Sequence, residues 1–322
     1  MGSEQNKSGL TDVNLGFAFS AIWWNNSFKL VHSLLPKFLL PAFLVALSNL
    51  ASLYSDSLLS GGLNLADVSP QALEKMLTTL LTLGVIGSIG LILGLVALSI
   101  WMYLLTALAK LSLLLPTDGQ INVQNDLKSE FAANLKKIKA QSKHISATWM
   151  IGFLYLLLPV CPLSGLMALC ILANSPVLKL EAPLLSLPSD WVFPIYFCIA
   201  FLSAVTINYS LVLTVLSSNV QIKPKQSAFL AFDIIGKHFL PLLLVDLVLF
   251  FLDVVISAPY LIMPGIPQLK WISHNFAAQF IMQIWFAISS AYTWPLSLLI
   301  FSQLLKPMMG GLESDQIAKE IG

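Results

Sequence analysis

Six stretches of the chain are apolar over the roughly 20 residues that a helix needs to cross about 30 Å of hydrocarbon. They run from about Pro36 to Leu53, Leu77 to Leu115, Ile145 to Ala173, Trp191 to Ser217, His238 to Met263 and Ala277 to Leu305. The second is long for one crossing. It reads as a single extended helix, because two crossings would place the basic segment after it opposite the other lysine-rich loops. Its Gly90 and Gly94 form a GxxxG pair, the spacing that lets two membrane helices approach closely. The first stretch begins after a polar N-terminus and lacks a small-residue cleavage pattern, so it is not read as a signal peptide. Asn6 stands where myristoylation needs Ser or Thr.

Between the apolar blocks lie shorter amphipathic segments. In 125–142, Leu127, Phe131, Leu135 and Ile138 fall at spacings of 4, 4 and 3, one face of a helix. Lys128, Lys136, Lys137, Lys139 and Lys143 populate the remainder. Such a helix is expected to lie in the interface plane, apolar face down, and to attract anionic headgroups. A solvated connector is the plainer alternative. Phe17, Phe19, Ile22, Trp23 and Trp24 give the N-terminal segment an aromatic interfacial character.

A unit of about one hundred residues recurs: an amphipathic segment, a lysine at the inner boundary, and a two-helix hairpin. Lys37-Phe38-Leu39-Leu40-Pro41 opens the first hairpin, Lys143-His144-Ile145 the second and Lys237-His238-Phe239-Leu240-Pro241 the third, at spacings of 106 and 94. Ser129-Glu130-Phe131-Ala132-Ala133 also corresponds loosely to Ser227-Ala228-Phe229-Leu230-Ala231. The expected fold is therefore all-α. It is a polytopic bundle of six transmembrane helices, built as three parallel hairpin repeats with interfacial amphipathic helices. The whole of 1–322 forms one integral membrane domain, with units of about 14–115, 125–218 and 226–306.

Composition supports this class. Of the 322 residues 57% are hydrophobic and 10% charged, too few charges for a soluble surface. Net charge is +1 and arginine is absent, so neither nucleic acid nor a bidentate phosphate clamp is implied. Lysine is distributed unevenly. With six spans, 14 of the 17 lysines fall on the side of the termini, and only Lys75, Lys179 and Lys270 on the other. The positive-inside rule then places both termini in the cytoplasm.

The segments Phe17 to Pro41 and Ser227 to Pro241 resemble a broad family of bacterial six-helix membrane proteins. That family includes the membrane domain attached to some glycerophosphodiester phosphodiesterases. The resemblance implies a bacterial inner-membrane location and interfacial elbow helices. It carries over no catalytic residue, and the soluble phosphodiesterase barrel is expected to be missing.

Candidate chemistry is sparse. Asp246 and Asp253 lie inside the fifth span, seven residues and about 10 Å apart on one helix face. An intramembrane carboxyl is costly in lipid and must face protein. It serves as a proton or cation relay, or it is a neutral acid bonded to Asn208, Tyr209, Gln279, Gln283, Ser289 or Ser290. Asn208 and Gln283 are the partners taken into the candidate site. His32, His144, His238 and His274 are scattered without metal-ligand spacing, so no metal or cofactor is expected. Cys161, Cys170 and Cys198 lie within spans and read as core. Pro159 and Pro162 break the third span and point to a cavity there.

The function expected from this reading is non-enzymatic: an inner-membrane protein with a lipid-interacting or scaffold role. Its partners would be membrane lipids and a cytoplasmic or membrane protein. The alternative is a small-solute, lipid or proton-coupled transporter using Asp246 and Asp253. An intramembrane enzyme lacks an acid/base pair near the interface. Cysteines placed at Asp67 and Asn134 check the topology. An impermeant thiol reagent on intact cells labels 67 and spares 134, and the reverse pattern overturns the orientation.

Overall fold

The computed structural model describes residues 21–62, 70–115, 126–173, 192–262 and 275–321, with side chains chiefly over 24–55, 76–115, 127–157, 201–252 and 277–307. These form seven α-helices and no strand among the described residues. They are α1 (Ala21–Gly62), α2 (Pro70–Leu114), α3 (Asp126–Ala140), α4 (Ser142–Ala173), α5 (Val192–Ser217), α6 (Pro224–Ile262) and α7 (Phe276–Ile321). Four stretches are long and apolar enough to cross a membrane: Trp24–Ser55, Met76–Leu114, Pro224–Leu252 and Ala277–Pro307. The protein is a multi-pass helical membrane protein. The expected third and fourth spans fall on α4 and α5, where Phe201–Ser217 is a shorter apolar helix. The side chains of 158–173 and 192–200 in those two spans lie outside the described residues, with Pro159, Pro162 and the three cysteines.

Helix α2 is one continuous element of 45 residues, about 67 Å long at 1.5 Å per residue. It follows the expected single long helix. Its Gly90 and Gly94 do bring a neighbour close. A Cβ at Gly90 would lie 3.1 Å from Ala51, one at Gly94 3.2 Å from the Ser48 hydroxyl, and that hydroxyl donates to the Gly90 carbonyl at 2.8 Å. The opposite face is open. Leu81, Val85, Leu91, Ile92 and Leu95 are all more than half exposed, as lipid-facing positions require.

Helix α7 holds the bundle together. It packs against α1, α2, α5 and α6, and 61% of its most apolar stretch is buried, compared with 11% for α2. Leu298, Leu299, Phe301 and Ser302 are fully enclosed. Near its end the Gln303 amide donates to the Ser112 carbonyl at 2.6 Å, and the Lys306 ammonium donates to that of Leu115 at 2.5 Å. Both carbonyls stand at the C-terminal end of α2, where a helix runs short of backbone donors, and that of Ser112 also accepts the Leu115 N–H at 3.2 Å. A cation at that pole also suits the helix dipole.

The two later lysine-marked boundaries carry backbone breaks. A turn at Gln141 separates α3 from α4 just before Lys143, and His238 adopts φ −118°, ψ 25° inside α6. The second break has a local cause. Pro241 has no N–H, and its ring crowds the carbonyl of Lys237 four residues back. The first boundary differs from expectation, since α1 runs unbroken through Pro36 and Pro41. Prolines survive in membrane helices where neighbouring groups satisfy the freed carbonyls.

Helix α3 departs most from its expected setting. Its apolar residues are not free to enter lipid, because Phe131 and Ile138 are wholly buried and Leu127 nearly so. Phe131 packs on Phe38 of α1 at 6.3 Å between ring centroids, with the Lys37 ammonium 4.8 Å from its centroid. Trp101 of α2 lies against the other side of Phe38 at 5.6 Å. The amphipathic stripe was read correctly as one face; that face is covered by protein. Asn134 also points inward at 5% exposure, so labelling on that side is read through the exposed Ala133 instead.

Serines and threonines recur within the apolar helices. Most bond their own backbone. Thr148, Thr206, Ser210, Thr214 and Ser302 each donate to the carbonyl four residues earlier. Contacts across helices include Ser48 to Gly90 and the Thr106–Ser217 hydroxyl pair at 3.3 Å.

One glycine tests the packing of α4 on α5. A Cβ at Gly152 would lie 2.3 Å from the buried Leu213, whereas one at Gly84 meets nothing within 4 Å. Gly152→Val should lower stability by about 1–3 kcal/mol, the usual range for overpacking. Gly84→Ala should leave it unchanged or slightly raised. Unfolding in mixed micelles reads both, and equal effects would contradict this packing.

Candidate functional site

Asp246 lies on α6 nine residues beyond Lys237, about 13 Å along the helix, close to half the hydrocarbon thickness. As expected, it faces protein. The fully buried Asn208 of α5 donates its side-chain amide to one carboxyl oxygen of Asp246. Of the partners considered for an acid at this depth, the fold selects Asn208. Tyr209 instead directs its hydroxyl toward the Ala228 carbonyl at 3.5 Å, and Ser289 bonds Phe286 in its own helix. The second amide atom of Asn208, Oδ1, is enclosed and accepts no hydrogen bond.

The carboxyl opens into a cavity of about 460 Å³ between α5, α6 and α7. Its walls are mostly hydrocarbon: Ala204, Ile207 and Leu211 from α5, and Leu243, Leu247, Leu249 and Phe250 from α6. Helix α7 contributes Thr293, Trp294 and Ser297, and Ser203 adds a further hydroxyl from α5. The Ser297 hydroxyl is occupied by the Thr293 carbonyl at 2.8 Å. Asp246 is the one ionisable group among the described lining residues. Ile207, Leu247, Phe250 and Trp294 are all more than 40% exposed, so the cavity has a lateral mouth on the apolar surface.

The rest of the expected intramembrane site separates. Gln283 is buried on α7, ten residues and about 15 Å from Thr293, away from the cavity. The side chain of Asp253 lies outside the described residues. The described lining of the cavity comes from α5, α6 and α7. Its lining is legible in retrospect as residues at helical spacing around the two polar anchors, 204–207–211 beside Asn208 and 243–247–250 beside Asp246. Without the pairing of α5 with α6, nothing in the chain singles out those positions.

A second constellation is the lysine face. Lys128, Lys136, Lys137, Lys139 and Lys143 are all exposed on α3 and the start of α4. Lys29, Lys37, Lys223, Lys225 and Lys237 are exposed as well. Lys237 pairs with Asp233 at 2.6 Å, an exposed contact of small energetic weight. Of the histidines, His32 bonds the Tyr292 hydroxyl through Nδ1 at 2.7 Å, tying α1 to α7. Among the described residues no three His, Cys, Asp or Glu side chains gather as a metal site.

The Asp246–Asn208 bond gives a direct test. Asp246→Asn keeps the shape and an acceptor for the Asn208 amide, so stability should change by under about 0.5 kcal/mol. Asp246→Leu leaves that buried amide without an acceptor and should cost about 1–3 kcal/mol. Unfolding of the two variants in the same micelles decides it, and a leucine variant as stable as the asparagine one would remove the bond's structural role.

No protein-family model, no curated protein and no solved structure matches this chain.

Proposed function

We propose that the protein is a non-enzymatic integral protein of a bacterial inner membrane, which grips anionic lipid headgroups through a cytoplasmic face of lysines. In this reading it has six spans in three parallel hairpin units, with both termini in the cytoplasm. The reading stands with the bacterial six-helix family that the Phe17–Pro41 and Ser227–Pro241 segments resemble. One observation carries it: the five lysines of α3 and the start of α4 are exposed, while the apolar side of α3 is buried in the bundle. The helix therefore acts as a rigid bracket for charge rather than as an inserting anchor. Each lysine near an anionic surface is worth roughly 1 kcal/mol, so a fixed group of five favours such lipids strongly. A cytoplasmic or membrane protein with an acidic surface would use the same face.

The transporter reading is favoured by a different observation, the cavity at Asp246. A ligand pocket of this size is unneeded in a pure scaffold, since helix bundles close-pack unless something occupies the space.

Lipid retention tests the leading reading on the full chain. Protein purified in mild detergent from native membranes should carry anionic phospholipid, shed progressively as salt rises. A variant with Lys128, Lys136, Lys137, Lys139 and Lys143 all changed to Gln should retain at most half as much, with its zwitterionic lipid unchanged. Equal anionic lipid on both proteins, or loss unaffected by salt, would overturn it.

A further inference from the structure

We propose that the cavity between α5, α6 and α7 is a binding site for a monovalent lipophilic organic cation, a compact positive centre carried in an apolar body. The proposal stands on the cavity and is independent of the lysine face.

Size sets the class of ligand first. About 460 Å³ falls within the range of small-molecule sites and far exceeds the space for a bare ion. An alkali cation wants a shell of several oxygen ligands. Here most of the lining is hydrocarbon, with one carboxyl and three side-chain hydroxyls spread over three helices. The walls suit an apolar body instead.

Charge then sets the head. Asp246 is the sole ionisable side chain among the described lining residues, and no lysine or histidine among them neutralises it. Asn208 occupies one of its oxygens with a neutral donor and leaves the other for the cavity. That bond also fixes the carboxyl's direction, because Asn208 is wholly buried in α5. A positively charged ligand completes the site. A neutral one leaves the carboxyl unmatched in an apolar surround, and an anion is repelled. Trp294 and Phe250 line the same space, and aromatic side chains are the apolar residues that favour organic cations.

Access completes the argument. The mouth lies among Ile207, Leu247, Phe250 and Trp294, all well exposed on the apolar side of the bundle at mid-membrane depth. A lipophilic cation already partitioned into the bilayer reaches Asp246 from there without crossing the polar end of the bundle.

The test uses the full-length protein in nanodiscs of zwitterionic lipid, with binding to empty discs subtracted. The probes are tetraphenylphosphonium and tetraphenylborate, ions of the same shape and opposite charge. Tetraphenylphosphonium should bind saturably at one per chain, and tetraphenylborate at least tenfold more weakly. Asp246→Asn, which keeps the fold by the argument above, should weaken tetraphenylphosphonium at least tenfold, and Asp246→Glu should retain most of the affinity. Leu247→Trp, which fills the cavity from its rim, should also abolish saturable binding. Equal binding of the two ions would reduce the site to an apolar crevice and overturn the proposal. So would unchanged affinity in Asp246→Asn, or the absence of saturable binding to the wild type.

Discussion

In hydrocarbon there is no water to satisfy a polar group, so every such group within this bundle must find its partner in the protein. Much of the architecture follows from that constraint. The intrahelical serines and threonines turn back on their own carbonyls, which lets them ride in apolar helices at little cost. Gln303 and Lys306 close the end of α2 by donating to carbonyls that a helix end leaves short of donors. Asp246 is the most demanding case. Its carboxyl is met by the buried amide of Asn208, which determines how α5 and α6 register against each other.

The same constraint explains why α7 is central. It carries Gln283, Ser289, Thr293, Ser302 and Gln303, all nearly inaccessible, and so has the most to gain from being enclosed. Helix α2 is the reverse. The outward face of its first half is almost purely aliphatic and exposed, while its last turns, from about Ala97, are buried against α1, α3, α5 and α7. Polar content sorts the helices into a centre and a periphery, where a soluble fold would be sorted by apolar content.

The lysine side of the molecule rests on packing. Phe131 is held between Phe38 and the Lys37 ammonium, and with Ile138 it seats α3 on α1 and α2. Once that face is spent, the lysines can only point outward. Charge on this surface is therefore presented by a helix that cannot easily reorient, so a lipid or protein meets a preformed pattern.

By itself the sequence determined the class of protein, because long apolar blocks with 10% charge allow no other solvent than lipid. The structure settled that α2 is a single long helix, while the sequence also determined that Gly90 and Gly94 mark a close contact and that Asp246 must face protein. Each of these follows from local composition and spacing, which are properties of one helix. What covers the apolar side of α3 was decided elsewhere, since a stripe at period 3.6 is the same stripe against lipid or against Phe38. The continuity of α1 through Pro36 and Pro41, beside the break at His238, likewise depends on neighbours. Only the tertiary structure chose Asn208 over five other polar residues as the partner of Asp246. The cavity exists because three helices that are distant in the chain meet around one carboxyl, and no periodicity within any of them encodes that meeting.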